Sequence, residues 1–264
     1  MSNEHFQNLV AFQHQRSDRF YLRTGCSALD SLLKGGFPSR SIVELFGAAN
    51  TGKSQLLHSL VVISQFPKHL GGGEGKAIFI DTEGTFRPER ISEICENYRI
   101  DPSIVLDNII YARAYTADHQ LALLEQCLQI LTSDTIVLIV IDSLSALFRT
   151  INDSSDFSTE IRGRQFKLGQ FLKRLSDLVS DYNIVAVYSN EVRASLNESE
   201  SEIKKVHHFG GNVVAHLGDL RCYLYKNSIG KRFVHVFQSN YVAEATVAFK
   251  ICSSGICDED KLTS

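Results

Sequence analysis

The stretch Ile42-Val43-Glu44-Leu45-Phe46-Gly47-Ala48-Ala49-Asn50-Thr51-Gly52-Lys53-Ser54-Gln55 carries the deciding pattern of this chain. Its first five residues are a run of strand formers and its middle is a glycine-containing turn. Leu56, Leu57, Leu60 and Val61 then recur at helical spacing. Strand, turn and helix in that order make one half of an α/β unit. Residues 47–54 satisfy G-x-x-x-x-G-K-[ST], in which glycines let backbone N–H groups converge on phosphate at a helix N-terminus. The spacing predicts a phosphate site at Gly47, Asn50, Thr51, Gly52, Lys53, Ser54 and Gln55. Lys53 is expected to reach the β- and γ-phosphates, and the Ser54 hydroxyl to hold Mg²⁺.

Working outward, Ile136–Ile141 is apolar on both faces, as a central parallel strand must be, and it ends in Asp142. That puts a carboxylate at the C-terminal edge of the sheet, where ligands gather in open α/β folds, and Asp142 is expected to steady the Mg²⁺. A second short strand, Ala77–Ile80, leads to Asp81 and Glu83 on the same edge. Either carboxylate could orient or deprotonate an attacking water, and position alone does not separate them. Pro88 suits the first turn of the next helix, with Ile91, Ile94, Cys95 and Tyr98 as its stripe. Leu121, Leu124, Leu128 and Leu131 mark another helix. A longer one turns Leu168, Phe171, Leu172, Leu175 and Leu178 inward, with Lys167, Lys173 and Arg174 outward. Ile184–Tyr188 is a further central strand. Cys222–Lys226 and Phe233–Phe237 read as an antiparallel hairpin turning at Asn227–Gly230. The fold class is α/β: a mostly parallel twisted sheet flanked by helices, closing on that hairpin. The segments Gly71–Gly73 and Asn197–Lys205 read as flexible, and no linker divides the chain.

Composition sets the outer limits. The 264 residues are 44% hydrophobic and 22% charged, which excludes wholesale disorder. No apolar run exceeds Ile136–Ile141, far short of the roughly 18 residues a membrane span needs. Met1–Val10 has no basic end followed by an apolar stretch and so does not read as a secretory signal. A net charge of −3 argues against coating nucleic acid through overall charge, though not against local basic loops. None of the six cysteines forms a CxxC pair, and most sit in apolar patterns, which predicts reduced core thiols rather than disulfides. The nine histidines show no zinc spacing, and no structural metal is expected.

Longer strings then bear on function. The segment GGGEGKAIFIDTEGTFRPERI, Gly71 to Ile91, closely resembles the RecA-type recombinases of eukaryotes and archaea, the RadA-like strand-exchange ATPases. The similarity continues through Leu106–Asn108, Tyr111–Ala114, Asp118–Gln120, Ala146–Thr150, Arg164-Gln165 and Gly210–His216. It covers roughly Phe6 to Cys257. The resemblance implies that Glu83 occupies the position of the catalytic glutamate and Arg90 that of the residue packing on adenine. It also implies a RecA-like core (residues 25–257) after an N-terminal polymerisation arm (1–24) and before a tail (258–264). Such a core binds ATP and Mg²⁺ between subunits, forms filaments on single-stranded DNA, and pairs it with double-stranded DNA. Homologous recombination and double-strand-break repair in the nucleus, in mitosis or meiosis, follow as expectations, with self-assembly, a full-length recombinase or mediators as partners.

Several positions depart from the family pattern. Family members usually begin with a small helical DNA-binding domain, and the resemblance, which starts at the arm, gives no expectation of one here. In the arm, the family's Phe-x-x-Ala is Phe6-Gln7-Asn8-Leu9, and leucine in a pocket shaped for a methyl group would cost roughly 1–3 kcal/mol. The first DNA-binding loop falls at residues 152–164, where Asp153, Asp156 and Glu160 oppose the useful Arg162 and Arg164. The second spans residues 192–209, with Arg193, Lys204 and Lys205 against Glu198, Glu200 and Glu202, ahead of Gly210, Gly211 and Asn212. Glu191 stands where the family has a glutamine that couples the γ-phosphate to the second loop. A carboxylate there can only accept hydrogen bonds and repels phosphate unless protonated or bridged by a cation. Gln238, Asn240 and Ala243 replace the prolines and aspartate of the ATP cap, with Glu244 retained. These departures leave three readings: a working recombinase, a paralogue acting as an assembly or mediator subunit, and a RecA-like ATPase outside recombination.

Overall fold

The computed structural model describes residues 18–150, 157–192 and 218–260. Two short strands, Tyr21–Leu22 (β1) and Phe37–Pro38 (β2), pair antiparallel on either side of the helix Ser27–Leu32 (α1). Phe20 and Leu22 are buried in the main core, within the stretch assigned to the arm by resemblance.

The rest of the chain builds one nine-stranded sheet. In chain order its strands and helices are Ser41–Gly47 (β3), Lys53–Ile63 (α2), Lys76–Asp81 (β4), Pro88–Tyr98 (α3), Pro102–Asp107 (α4) and Ile109–Arg113 (β5). Ala117–Ser133 (α5), Ile136–Asp142 (β6), Phe157–Tyr182 (α6) and Val185–Glu191 (β7) follow. Leu220–Lys226 (β8), Arg232–Ser239 (β9), Thr246–Cys252 (β10) and Gly255–Asp258 (β11) complete it. The spatial order is β11-β10-β9-β8-β3-β7-β6-β4-β5. Strands β8, β3, β7, β6, β4 and β5 run parallel, and β8 through β11 form an antiparallel meander.

Alternation along the strands divides the interior into two layers. Val43, Leu45, Phe79, Val140 and Val187 point toward α1, α2 and α3, where Leu56, Leu57, Leu60, Ile91 and Ile94 meet them. Ile42, Ile78, Ile139, Ile141 and Ala186 point the opposite way, onto Leu124, Leu131, Leu168, Phe171 and Leu175 of α5 and α6. The parallel strands are therefore covered on both faces, which is why β3 and β6 are buried at every residue. The anticipated hairpin is present, with Lys226 opposite Arg232.

Strands β5, β10 and β11 were not anticipated from the sequence. β5 is the parallel edge strand and β10 lies near the other edge. Both are mostly half-buried, and their apolar runs, Ile109–Ala112 and Val247–Phe249, are too short for periodicity to tell strand from helix. The loop expected at residues 152–164 also needs correction, because α6 starts at Phe157. Arg162 and Arg164 thus stand on a helix, and no proline interrupts residues 157–182.

Candidate functional site

The parallel strands bring their carboxyl ends to one edge, and the loops leaving β3, β4, β6 and β7 enclose a cleft of about 950 Å³ there. The loop after β3 is the phosphate-binding pattern. Gly47 lies so near β8 that a Cβ would sit 2.1 Å from the Leu224 carbonyl oxygen, which requires glycine. Gly52 has φ +117°, open only to glycine, and no side chain caps the first turn of α2 that follows. The uncapped N–H groups suit an anion. Thr51 Oγ1 donates to Ala48 O at 2.9 Å, and Lys53 Nζ donates to Gly47 O and Ala48 O, both at 2.8 Å. Lys53 is largely buried, and burial pulls its ammonium below the ordinary lysine range. Glu191, Asp142 and Glu83, in that order, oppose the shift.

Asp142 closes β6 at 5% exposure. The Ser189 hydroxyl of β7 donates to its Oδ1, and Thr85 Oγ1 to its Oδ2 at 3.4 Å. Ser54 and Asp142 both line the cleft. One hydroxyl and one carboxylate are hard oxygen donors that fit Mg²⁺, which ordinarily takes its remaining ligands from phosphate and water. Among the described residues no group of three acidic, histidine or cysteine side chains forms a self-sufficient metal cage.

The two carboxylates at the end of β4 have different surroundings. Asp81 is fully buried. Its Oδ1 accepts the backbone N–H of Glu83 (2.9 Å), Gly84 (2.6 Å) and Thr85 (3.3 Å), and its Oδ2 that of Phe86 (3.1 Å). Arg113 Nη1 at 2.8 Å and the Tyr111 hydroxyl at 3.2 Å, both from β5, complete its shell. Asp81 is thus fully engaged, with four N–H groups folding the loop that follows and two side chains of β5 bracing it. Glu83 is exposed on that loop, and its Oε1 accepts from Ser143 Oγ at 2.6 Å.

Beyond α2, Arg90 Nε donates to Gln55 Oε1 at 2.8 Å, and its other nitrogens reach Ser253 O, Cys252 O and Glu93. Gln55, Arg90 and Ile251 line that end of the cleft. Glu191 ends β7 directly opposite Gly47 in the parallel register. Its carboxylate is 3.5 Å from Arg149 Nη1, and Arg149 also donates to the Glu191 carbonyl and to Ser145 Oγ. The guanidinium of Arg149 is thus a protein cation beside the Glu191 carboxylate. Gln238 accepts from Arg221 at 3.4 Å and Glu244 lies 3.2 Å from His235, both away from this cleft.

The structure thus brings together Asn50, Gly52, Lys53, Ser54, Gln55, Glu83, Arg90, Asp142 and Glu191. Arg162 is exposed and Arg164 half-buried, both on α6. Phe6, Leu9, Arg193, Lys204, Lys205, Gly210, Gly211 and Asn212 lie outside the described residues. Sequence reasoning missed Thr85, Ser143, Ser189, Lys226 and Arg232 of the cleft. Ser143 had a signal, as a hydroxyl next to Asp142 after an apolar strand. Thr85 and Ser189 each lie two residues from a predicted site residue, Glu83 and Glu191, while Lys226 and Arg232 come from the distant β8–β9 hairpin.

The Rad51 family model matches residues 15–259. The chain belongs to the Rad51 family. Its relatives include DNA repair protein rhp51 of Schizosaccharomyces pombe, 39% identical over 97% of this chain and 70% of that protein. DNA repair protein RAD51 of Saccharomyces cerevisiae is 41% identical over 96% of this chain and 63% of its own length. The meiotic recombination protein DMC1 homolog of Arabidopsis thaliana is 41% identical over 90% of this chain and 68% of its own length. Rad51-family membership agrees with the mostly parallel sheet and the loop at residues 47–54, and no helix among the described residues is long and apolar enough to cross a membrane.

Proposed function

We propose that this chain is an ATP-hydrolysing recombinase of homologous recombination and DNA repair, acting in the nucleus on single- and double-stranded DNA. The observation that carries the reading is the meeting of Lys53, Ser54, Asp142 and Glu83 in one cleft at the carboxyl edge of the sheet. In this reading the N-terminal turn of α2 cradles the phosphates. Lys53 exchanges its two carbonyl partners for phosphate oxygens. Ser54 and Asp142 would hold Mg²⁺, which supplies charge neutralisation on the phosphates. Glu83, fixed by the folded loop behind it, holds and deprotonates the attacking water, while Ser143 orients its carboxylate. Arg90 covers the adenine.

DNA contact is assigned to Arg162, Arg164, Arg193, Lys204, Lys205 and Gly210–Asn212, coupling to Glu191, and self-assembly to Phe6 and Leu9. Rad51-family recombinases are DNA-dependent ATPases, and relatives named for repair and for meiotic recombination support strand exchange over a mediator role.

The test is ATP turnover with and without single-stranded DNA at two salt concentrations, with the same samples imaged. DNA-stimulated turnover with filaments is expected. ATP binding without stimulation or filaments would overturn the recombinase reading in favour of the mediator one.

A further inference from the structure

His58 lies one turn into α2, at 2% exposure, and joins the phosphate-binding helix to the loop that carries Glu83. Its Nε2 is 3.2 Å from the backbone N–H of Arg87, and its Nδ1 is 2.5 Å from Ser54 O. An amide N–H only donates, so Nε2 is the acceptor, and the ring proton sits on Nδ1 and is given to Ser54 O. The ring stacks on Phe86 at 5.4 Å between centroids and 14° between planes, and it lies 5.9 Å from Phe79. The segment between Asp81 and Arg87 is therefore held at both ends. Asp81 folds its start through four N–H groups, and His58 takes the next N–H, that of Arg87.

We infer that His58 is a positioning residue that fixes the Glu83 loop in register with the phosphate-binding helix, through its paired hydrogen bonds to Arg87 N–H and Ser54 O. The inference deepens the proposed function and rests on Glu83 being the water-activating group. Helix α2 sets where the phosphates lie and the loop sets where Glu83 lies. The imidazole is a rigid spacer between the two frames, and small misplacements of catalytic groups carry large rate penalties.

The two contacts can be removed one at a time. In H58Q the amide oxygen reaches the place of Nε2 and keeps the Arg87 bond. In H58N the amide nitrogen reaches the place of Nδ1 and keeps only the Ser54 bond. H58F keeps the ring stacking and neither bond. The measurements are kcat for ATP, the Kd for MgADP, and hydrogen exchange of the Arg87 amide, all on the full chain. In H58N and H58F we expect a kcat at least about tenfold lower, faster Arg87 exchange and an unaltered Kd. H58Q is expected to recover most of both losses. Equal kcat and equal exchange in H58N and H58Q would overturn the inference, as would a Kd that rises in step with every kcat loss. If H58F does not fold, the H58N and H58Q pair decides. An E83Q control separates the two readings: full turnover there refutes the role of Glu83, while Arg87 exchange still tests the link made by His58.

Discussion

At the mouth of the cleft Glu191 faces the lysine of the phosphate loop, with Arg149 beside it. Two half-exposed partners 3.5 Å apart make a weak bridge whose worth falls with salt. A carboxylate there still repels an incoming phosphate, and Arg149 offsets only part of that. E191Q removes the repulsion and releases the guanidinium, so MgATP should bind about three- to tenfold more tightly at low salt, with a smaller gain at high salt. Titration calorimetry at two ionic strengths checks this, and an unchanged affinity would mean that Arg149 already neutralises the carboxylate. Asp81 makes the opposite case, a buried carboxylate with all its lone pairs taken. D81N swaps an acceptor for a donor among six donors, and should cost about 2–4 kcal/mol in urea unfolding. Its turnover should fall alongside, because the Glu83 loop loses its anchor.

Between elements, the junction of β7, β3 and β8 depends on one buried ionic contact. Glu44 accepts from Asn190 Nδ2 at 2.9 Å and from Arg221 Nε at 2.6 Å, so a single β3 side chain ties both neighbouring strands. Arg221 also lies over Phe46 at 5.3 Å and Phe237 at 5.5 Å. E44Q leaves a guanidinium buried without its counter-charge and should destabilise by about 3–5 kcal/mol. The double variant E44Q/R221M should recover much of that loss, as measured by denaturant midpoints.

The same scale explains what could be read from the sequence. The β3–loop–α2 unit is local, so periodicity and glycine spacing reveal it, and β6 announces itself by being apolar on both faces. Asp81 and Glu83 could not be told apart on position, because what separates them is the set of N–H groups aimed at one and not the other. Ser189 reaches Asp142 only through the pairing of β6 with β7, and Arg149 reaches Glu191 from the 3-10 turn Phe148–Thr150 after β6, and neither contact leaves a local trace. The apolar runs of β5 and β10 are too short to stand out, and the start of α6 lay in a stretch that the family resemblance assigned to a DNA-binding loop.

For the molecule as a whole, the packing around the cysteines sets an order of reactivity. Burial pushes the thiols of Cys26, Cys127 and Cys222 up to about 12 and that of Cys95 up to about 11. At pH 8 almost none of these four is thiolate, the form that reacts. Cys257 is also buried, while Cys252 is half-buried. Brief alkylation of the native chain followed by mass spectrometry should therefore modify Cys252 first, and the other five should follow only on unfolding. Early labelling of Cys222 would contradict the close cover of β8 by its neighbours.

The register of β3 has a consequence in time. Gly47 pairs with Glu191, and the Leu45–Cys222 and Phe46–Tyr223 pairs close the strand's other side, so the cradle for phosphate is walled by residues made long after it. At about 5–20 residues per second of synthesis, the nascent β3 waits roughly 7–30 s for β7 to emerge. Throughout that interval its apolar residues have no partner strand on either side, a template for pairing with other chains. Folding of this architecture is slow by topology, since its contacts join distant parts of the chain. The exposed edge of β3 is therefore the point at which the newly made chain is most open to aggregation before its sheet closes.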